Sequence, residues 1–293
     1  IKKFFTPTTF VDKLSLRNLK SKCESQDFDH LMPPNFESIT GAFRLTLWGF
    51  LTPLICVSSS SIKSWSQSSP SFVDIGNASG LTADGQHHAV AIGDYDNDGY
   101  EDIYVGSKFA PNALYRNNGN MTFTEVGAEA GIADQGFTNA AVWFDFDNDG
   151  DLDLATGNGF GGSDAEPNRF YVNQGNGTFV NMAAEWGLNS TLMCRSLHAA
   201  DYDNDGFTDL YVVNINAVNH FYKNNGGQGF TDVYSQSAAL DTGVGMGSIF
   251  FDYDNDGDQD LYLTHDANQT NKLYRNQGDG TFIDIAFLAG LNT

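Results

Sequence analysis

An acidic segment of nine residues occurs four times along the chain, and it constrains the fold more than any other feature. Its first copy, DYDNDGYED, begins at Asp94, and the others begin at Asp145, Asp201 and Asp252. Successive copies start 51, 56 and 51 residues apart. Regular spacing on this scale is typical of repeat architectures, in which each unit is one supersecondary structure packed against its neighbours. We therefore predict four units of one kind.

Each unit contains four short apolar segments separated by turn residues. In the first unit these are HAVAIG before the acidic segment, IYVG after it, and then NALYRNNG and MTFTEV. They are rich in Val, Ile, Phe and Tyr and lack a sustained helical period, which is typical of strands. The Asn-Gly step before the last segment favours a hairpin. Units of about 50 residues with four strands each predict an all-β fold, a β-propeller of four-stranded blades with acidic loops between strands.

The acidic segment carries carboxylates at positions 1, 3, 5 and 9 and glycine at position 6. On a tightly curved loop the alternate carboxylates converge, and the glycine allows a sharp turn that brings in the backbone carbonyl of position 7. Calcium takes roughly six to eight hard oxygen ligands, so the pattern predicts one calcium ion per loop, about four in all. The predicted carboxylate ligands are Asp94, Asp96, Asp98, Asp102, Asp145, Asp147, Asp149, Asp153, Asp201, Asp203, Asp205, Asp209, Asp252, Asp254, Asp256 and Asp260, and the predicted carbonyl ligands belong to Tyr100, Asp151, Phe207 and Asp258.

Other interpretations of the acidic segments fit less well. Solvated turns that bind nothing would explain one copy, but four copies with matching aspartates favour calcium. Magnesium is disfavoured because it gives up water reluctantly and demands tighter octahedral geometry. The helix–loop–helix calcium motif requires glutamate where Val105 stands, and here a strand follows instead of a helix. We interpret the side chains of Asp151 and Asp258, at position 7, as added negative charge rather than as ligands.

These motifs resemble the FG-GAP/VCBS repeat family, the calcium-loop propeller repeat of integrin α-chains and many secreted bacterial proteins. The first unit, GDYDNDGYEDIYVG followed by NALYRNNGNMTFTEVGAEAGI, looks especially like the repeats of cartilage-acidic-protein and UnbV-type secreted proteins. The resemblance covers residues 71–293. It implies an extracellular propeller, often of seven blades, that acts in adhesion or surface display, and it assigns the loop aspartates to calcium. Only four full units are visible, which departs from the family pattern.

Charge narrows the classes of binding partner. The formal net charge is −22, so nucleic acid and anionic membrane surfaces are excluded as partners, because phosphate binding needs clustered Lys and Arg. Four divalent ions would add 4 × 2 = 8 positive charges and leave −14. The composition, 41% hydrophobic and 13% aromatic, is ample for a folded core despite this charge.

An apolar run at residues 45–57, LTLWGFLTPLICV, precedes a serine-rich stretch. It is too short to span a bilayer but suits the central region of a secretory signal beginning near Met32; a buried element of a small N-terminal domain is the alternative. We therefore expect an extracellular or cell-surface protein without stable membrane insertion. The predicted division is residues 1–31 as an unassigned leader or read-through, 32–60 as a signal peptide, 61–70 as a serine-rich linker and 71–293 as the repeats.

No catalytic constellation is evident, and the chain is predicted not to be an enzyme. The histidines recur at no repeat position, and Cys194, which we expect to be a buried free thiol, has no evident base beside it. An extracellular adhesion or structural scaffold is the favoured function. The alternatives are the accessory propeller of a secreted enzyme acting on polysaccharide or lipid, and a calcium-dependent lectin-like module; the ligand would be an extracellular glycan or protein. Four tyrosines are predicted to pack between blades rather than to form a ligand-binding rim: Tyr115, Tyr171, Tyr222 and Tyr274.

Two further expectations concern the surface. The N-x-S/T sequons predict N-glycosylation if the source glycosylates secreted proteins, and chance occurrence is the alternative. SFVDIGNASGL (71–81) matches the end of a unit whose first three strands are missing, so Ser71–Ile75 is expected to be a surplus strand. Such a strand favours self-association by strand addition, and even filaments, with truncation of the chain as the competing explanation. The candidate glycosylation sites are Asn77, Asn120, Asn176, Asn189 and Asn268.

Overall fold

The computed structural model describes residues 72–82, 85–159 and 166–291, and the predicted leader, signal peptide and linker lie outside these ranges. The first sheet comprises β1 (His87–Gly93), β2 (Asp102–Ser107), β3 (Ala113–Asn117) and β4 (Phe123–Glu125). The second comprises β5 (Thr138–Phe144), β6 (Asp153–Asn158), β7 (Arg169–Asn173) and β8 (Phe179–Asn181). The third comprises β9 (Cys194–Ala200), β10 (Asp209–Asn214), β11 (His220–Asn224) and β12 (Phe230–Asp232). The fourth comprises β13 (Gly245–Phe251), β14 (Asp260–His265), β15 (Lys272–Asn276) and β16 (Phe282–Asp284). Two helical turns, α1 (Gly127–Ala130) and α2 (Tyr234–Ser237), follow the first and third sheets.

Each sheet pairs its four strands antiparallel in chain order, which is the topology of a propeller blade. The register repeats from blade to blade: Tyr115 lies opposite Ile103 in the first, and Tyr171 lies opposite Leu154 in the second. The glycines of the hairpin between the third and fourth strands, such as Gly119 at φ +69°, take left-handed backbone conformations. The predicted all-β fold of four four-stranded blades is confirmed.

Consecutive blades pack face to face. The first strands β1, β5, β9 and β13 contact one another in chain order. Because side chains alternate along a strand, each inner blade contributes one apolar face to the blade before it and one to the blade after it. At the second junction, for example, Phe170 of the second blade lies in one buried cluster with Leu210 and Tyr222 of the third. The core is therefore a series of layers between blades. The predicted inter-blade packing is confirmed for Tyr171, Tyr222 and Tyr274, each of which lies in a buried cluster with residues of the preceding blade. Tyr115, in the first blade, is also buried but belongs to none of these clusters.

The faces at the two ends of the series remain open to solvent. On β1, Val90 and Ile92 are 62% and 63% exposed, although the equivalent face of each later blade is packed. On β13, at the other end, Ile249 and Phe251 are also exposed. Both end faces thus present apolar side chains.

The structure does not show the strand that was expected at Ser71–Ile75. Ser71 lies outside the described residues, and Phe72–Ile75 form no regular secondary structure and are exposed. A strand is stabilised by pairing with a neighbouring strand, and none of the described strands pairs with these four residues. The turn that follows does pack on the first blade, where the Ser79 carbonyl accepts a hydrogen bond of 2.7 Å from the Phe123 amide.

Two smaller expectations concern Cys194 and the membrane. Cys194 is a fully buried free thiol, as predicted, and burial raises its pKa to about 12. Cys23 and Cys56 lie outside the described residues. In the part of the chain that the structure describes, no helix is long and apolar enough to cross a membrane.

Candidate metal centres

Every acidic loop joins the first and second strands of its blade and gathers three carboxylates. The loops are residues 94–102, 145–153, 201–209 and 252–260, and we number their positions 1 to 9. In each, one oxygen from positions 1, 3 and 9 lies within 4.8 Å of the other two. The predicted convergence of alternate aspartates is thus present for these three positions. The groups are Asp94, Asp96 and Asp102; Asp145, Asp147 and Asp153; Asp201, Asp203 and Asp209; and Asp252, Asp254 and Asp260.

The loop path is set by its own side chains. In the first loop the Asp94 carboxylate accepts hydrogen bonds from the amides of Asp98 (3.0 Å) and Gly99 (2.8 Å), which curls positions 5 and 6 back over position 1. Asn97 and Gly99 adopt positive φ angles of 57° and 89°. Asparagine and glycine are the residues that tolerate these angles best, so the sequence N-D-G encodes the turn.

The aspartate at position 9 has a second role that the sequence analysis missed. Asp102 is buried; one of its oxygens accepts the Tyr95 amide (3.2 Å), and the other accepts the amide of Asn117 at the end of β3 (2.7 Å). The other three loops repeat this arrangement. Position 9 therefore fastens the loop to the third strand while it faces positions 1 and 3. The signal in the sequence was the asparagine that ends every third strand.

Position 5 differs from positions 1, 3 and 9. The carboxylates of Asp98, Asp149, Asp205 and Asp256 are not members of the converging groups. Instead each accepts the amide of position 7, at 2.9 to 3.0 Å. This bond closes the turn at Tyr100, Asp151, Phe207 and Asp258, the residues whose backbone carbonyls were predicted as ligands.

Neighbouring loops are linked through the asparagine at position 4. Asn97 donates to the carboxylate of Asp151 at 2.7 Å, and Asn204 donates to that of Asp258 at 2.8 Å. Asn148 donates to the Gly206 carbonyl at 2.9 Å. The position 7 carboxylates, interpreted from the sequence as added charge, thus accept bonds from the preceding loop.

The electrostatics of the loops suit a cation. Burial, together with nearby carboxylates, raises the pKa of Asp102 to about 6 and the pKa of Asp153 and of Asp209 to about 7, although backbone hydrogen bonds act in the opposite direction. Three oxygens, Asp96 Oδ1, Asp145 Oδ1 and Asp203 Oδ1, are buried and accept no hydrogen bond. A buried anion with an unpaired oxygen is costly unless a cation or donor compensates it. The residues present therefore fit a hard divalent ion.

Each of the first three loops is covered by the blade that follows it. The ring at position 2 packs against the fourth strand of the next blade: Tyr95 and Phe179 have ring centroids 5.8 Å apart. The side-chain amide of Asn173, in the second blade, also donates to the Tyr95 carbonyl at 2.8 Å. Equivalent bonds cover the second and third loops. In the fourth loop, Tyr253 at position 2 is exposed.

A family model described as FG-GAP-like repeat matches residues 94–156, 159–212, 201–263 and 252–291. The chain belongs to the FG-GAP-like repeat family. Three of the matched segments start at the first aspartate of an acidic loop, and together the four span most of the four blades. The family resemblance inferred from the loop and strand motifs is therefore confirmed.

This FG-GAP-like repeat protein is also related to Cartilage acidic protein 1. The Mus musculus protein is 27% identical over 221 residues, which cover 71% of this chain and 33% of the mouse protein. The Homo sapiens protein is 27% identical over 222 residues, covering 71% and 32%. The Xenopus tropicalis protein is 27% identical over 198 residues, covering 63% and 29%. The chain thus spans about a third of the length of these relatives.

The five sequon asparagines all lie at the surface of the described blades. Asn120 and Asn176 occupy the hairpin between the third and fourth strands, and each accepts a hydrogen bond from the threonine of its own sequon. All five are exposed enough for modification: Asn77, Asn120, Asn176, Asn189 and Asn268.

Proposed function

We propose that this FG-GAP-like repeat protein is a secreted, non-catalytic, calcium-binding propeller protein that serves as an extracellular adhesion module or structural scaffold. One observation carries the proposal: four equivalent loops each bring three aspartates together, and three of these loops hold a buried carboxylate oxygen with no hydrogen bond. Calcium would offset the charge repulsion and fasten each loop to its blade. The ligands would come from positions 1, 3 and 9, completed by positions 5 and 7 of the same loop.

The donor set favours calcium among the common cations. Every candidate ligand is an oxygen, from a carboxylate or a backbone carbonyl, and histidine and cysteine are absent from the described clusters. Oxygen-only sites suit calcium and magnesium, whereas zinc and copper prefer nitrogen or sulfur. Calcium tolerates irregular shells of roughly six to eight oxygens, which a flexible acidic loop supplies more readily than a strict octahedron.

The described residues contain three groups that resemble catalytic ones. Ser190, His220 and Asp232 have the geometry of a catalytic triad, since His220 Nε2 lies 3.1 Å from Ser190 Oγ and His220 Nδ1 lies 2.7 Å from Asp232 Oδ2. We assign these three a structural role, because the Ser190 hydroxyl also accepts the Leu192 amide and the Asp232 carboxylate also accepts the amides of Phe221 and Tyr234. The His265 and Asp241 pair, 3.0 Å apart, is buried. Cys194, the candidate nucleophile, is also buried, and its raised pKa keeps the thiol protonated. A catalytic group must reach its substrate, and neither of these does.

Secretion is supported by charge and by the apolar run at residues 45–57. The relatives' name describes an acidic protein of cartilage, and this chain is likewise strongly acidic. We propose that residues 32–60 direct export and that the repeats function outside the cell, where millimolar calcium would occupy sites of modest affinity. Glycans on Asn120 and Asn176 would agree with this location, and an intact mass equal to that of the bare polypeptide would reject them.

Self-association belongs to the same proposal. The exposed apolar residues Phe72, Val73 and Ile75, together with Val90 and Ile92 on the open face of β1, are a surface that a second copy could cover. Light scattering on a secreted protein with and without residues 58–76 tests this. A full-length protein that is already monomeric in calcium would reject assembly through this segment.

Calcium-dependent glycan binding is the second candidate. A groove of about 350 Å³ lies beside the first loop, between the first two blades, and is lined by polar residues that include Asp96, Arg116, Glu129 and Thr178. Polar grooves of this kind can bind sugar hydroxyls. A glycan-array signal that a chelator abolishes would support this function, or that of an accessory propeller for a polysaccharide-active enzyme.

Counting bound ions by native mass spectrometry tests the calcium proposal. We expect about four calcium ions on the wild-type repeats, and one fewer after Asp96→Ala, which removes a converging ligand from the first loop. Asp98→Ala tests position 5 in the same way. Asp279→Ala is the matched control, because Asp279 is an exposed aspartate outside the loops. Repeats that bind no ions, or equal counts in Asp96→Ala and wild type, would refute the proposal.

A further inference from the structure

The third loop already contains a cation supplied by the protein itself. The Lys223 ammonium forms ion pairs with the carboxylates of Asp203, at position 3, and Asp205, at position 5, the latter at 2.8 Å. The same ammonium lies 5.9 Å from the centre of the Tyr202 ring at position 2. Two of the predicted ligands of this loop thus have a positive charge against them.

The equivalent position differs in the other blades. Lys223 is the fourth residue of the third strand in its blade, where it pairs in register with Thr231 of the fourth strand. Register places Arg116, Val172 and Arg275 at this position in the first, second and fourth blades. In the structure, only Lys223 forms ion pairs with its loop among these four described residues. The second loop has no charge here at all.

We propose that Lys223 is an internal counter-ion that holds the third loop together without calcium and must be displaced when calcium binds there. This inference rests on the proposed function, because it assumes that the loops bind calcium. It makes the third loop the weakest of the four sites and the second loop, with Val172, the strongest. Release of Lys223 would then free an ammonium beside the loop only when calcium is abundant.

Coulomb's law sets the size of the effect. A unit positive charge about 5 Å from a calcium ion, largely screened by water, weakens binding on the order of tenfold. The Lys223 side chain is only partly exposed, so screening is incomplete. Added salt should reduce the difference between sites, because screening increases with ionic strength.

Reciprocal substitutions at the equivalent strand positions of the second and third blades test the proposal. We expect calcium titration of the wild-type protein, by calorimetry and native mass spectrometry, to show three ions bound tightly and one about tenfold more weakly. Lys223→Val, which copies the second blade, should strengthen the weakest step by about tenfold. Val172→Lys, which copies the third blade, should weaken one of the tight steps by a similar factor. Asp203→Ala should abolish the weakest step and leave the other three unchanged.

Stability without calcium gives an independent readout. In calcium-free buffer, Lys223→Val should unfold at a lower temperature than wild type because Asp203 and Asp205 lose their counter-ion. Lys272→Val is the matched control, since Lys272 forms an ion pair with Asp284 at 2.8 Å outside the loops and should not alter any calcium step. A wild-type protein that binds no calcium would reject the proposed function. Four ions whose affinities do not respond to either exchange would reject only the role of Lys223.

Discussion

The third and fourth loops share the sequence DYDNDG, yet their surroundings differ. Tyr202, at position 2 of the third loop, is 3% exposed, whereas Tyr253, at the same position of the fourth, is 43% exposed. Both loops fold the same way: position 1 accepts the amides of positions 5 and 6 in each. The difference shows that these six shared residues determine the path of the loop but not its burial.

The blade that follows the third loop accounts for the burial of Tyr202. Phe282 of the fourth blade packs its ring 5.9 Å from that of Tyr202, and the Asn276 side chain donates to the Tyr202 carbonyl at 2.7 Å. Among the described residues, no blade follows the fourth loop to provide either contact. The burial of an acidic loop in this fold therefore depends on the edge of the next blade.

The largest expected difference in stability is between the alanine replacements of the two tyrosines. Tyr202→Ala removes a buried ring from an aromatic cluster and should lower the free energy of unfolding by about 3 kcal/mol or more. Tyr253→Ala removes the same side chain from an exposed site and should cost less than about 1 kcal/mol. Urea unfolding in calcium measures both, and equal losses would show that the following blade does not matter.

A smaller difference in stability is expected between the alanine replacements of two asparagines, Asn276 and Asn117. Asn276 donates to the carbonyls of Gln259 in its own blade and Tyr202 in the preceding one, whereas Asn117 donates to Glu101 alone. Asn276→Ala leaves one more buried carbonyl unpaired, so it should destabilise the protein by about 1 kcal/mol more than Asn117→Ala. If urea unfolding gives the same loss for both variants, the bond between blades contributes nothing to stability.

The stability of the metal-free protein should depend on pH because of a buried aspartate in the third loop. Burial, the largest cause, raises the pKa of Asp209 in the third loop from 3.8 to about 7. Between these values the folded protein holds a proton that the unfolded chain has released, so stability falls as pH rises through this window. Without calcium, the melting temperature should therefore be lower at pH 8 than at pH 5.

Calcium should reverse that slope, because the ion binds the deprotonated carboxylates. Asp209→Asn carries no titrating proton and should flatten the metal-free slope, which separates this group from the general charge repulsion of the chain. A metal-free melting temperature that rises with pH, or a slope identical in Asp209→Asn and wild type, would contradict the assigned shift.

Much of the fold was predictable because it repeats. The alternation of apolar strands with N-G and D-G turns is a local signal, and four copies of it determine both the blade and its strand order. The segment at Ser71–Ile75 shows where local signals fail. Its sequence resembles a fourth strand, but a strand requires a neighbour, and sequence similarity does not supply one.

The metal centres were predictable at the level of the loop. The convergence of positions 1, 3 and 9 follows from their spacing, because short-range hydrogen bonds curl the loop. Strand register and packing between blades determine the hydrogen bonds that Asn173, Asn224 and Asn276 donate to the preceding loops. The ion pairs of Lys223 with the third loop likewise depend on strand register. Position 9 was assigned one role from the sequence, whereas Asp102, Asp153, Asp209 and Asp260 also bind backbone amides of the third strand.

Thermal unfolding with and without calcium tests the central claim most directly. If the four loops bind calcium only when folded, each ion adds on the order of 1–3 kcal/mol at extracellular calcium. Removing calcium with a chelator should then lower the melting temperature by more than about 10 °C, and restoring calcium should recover it. A melting curve that is the same in chelator and in millimolar calcium would contradict the account.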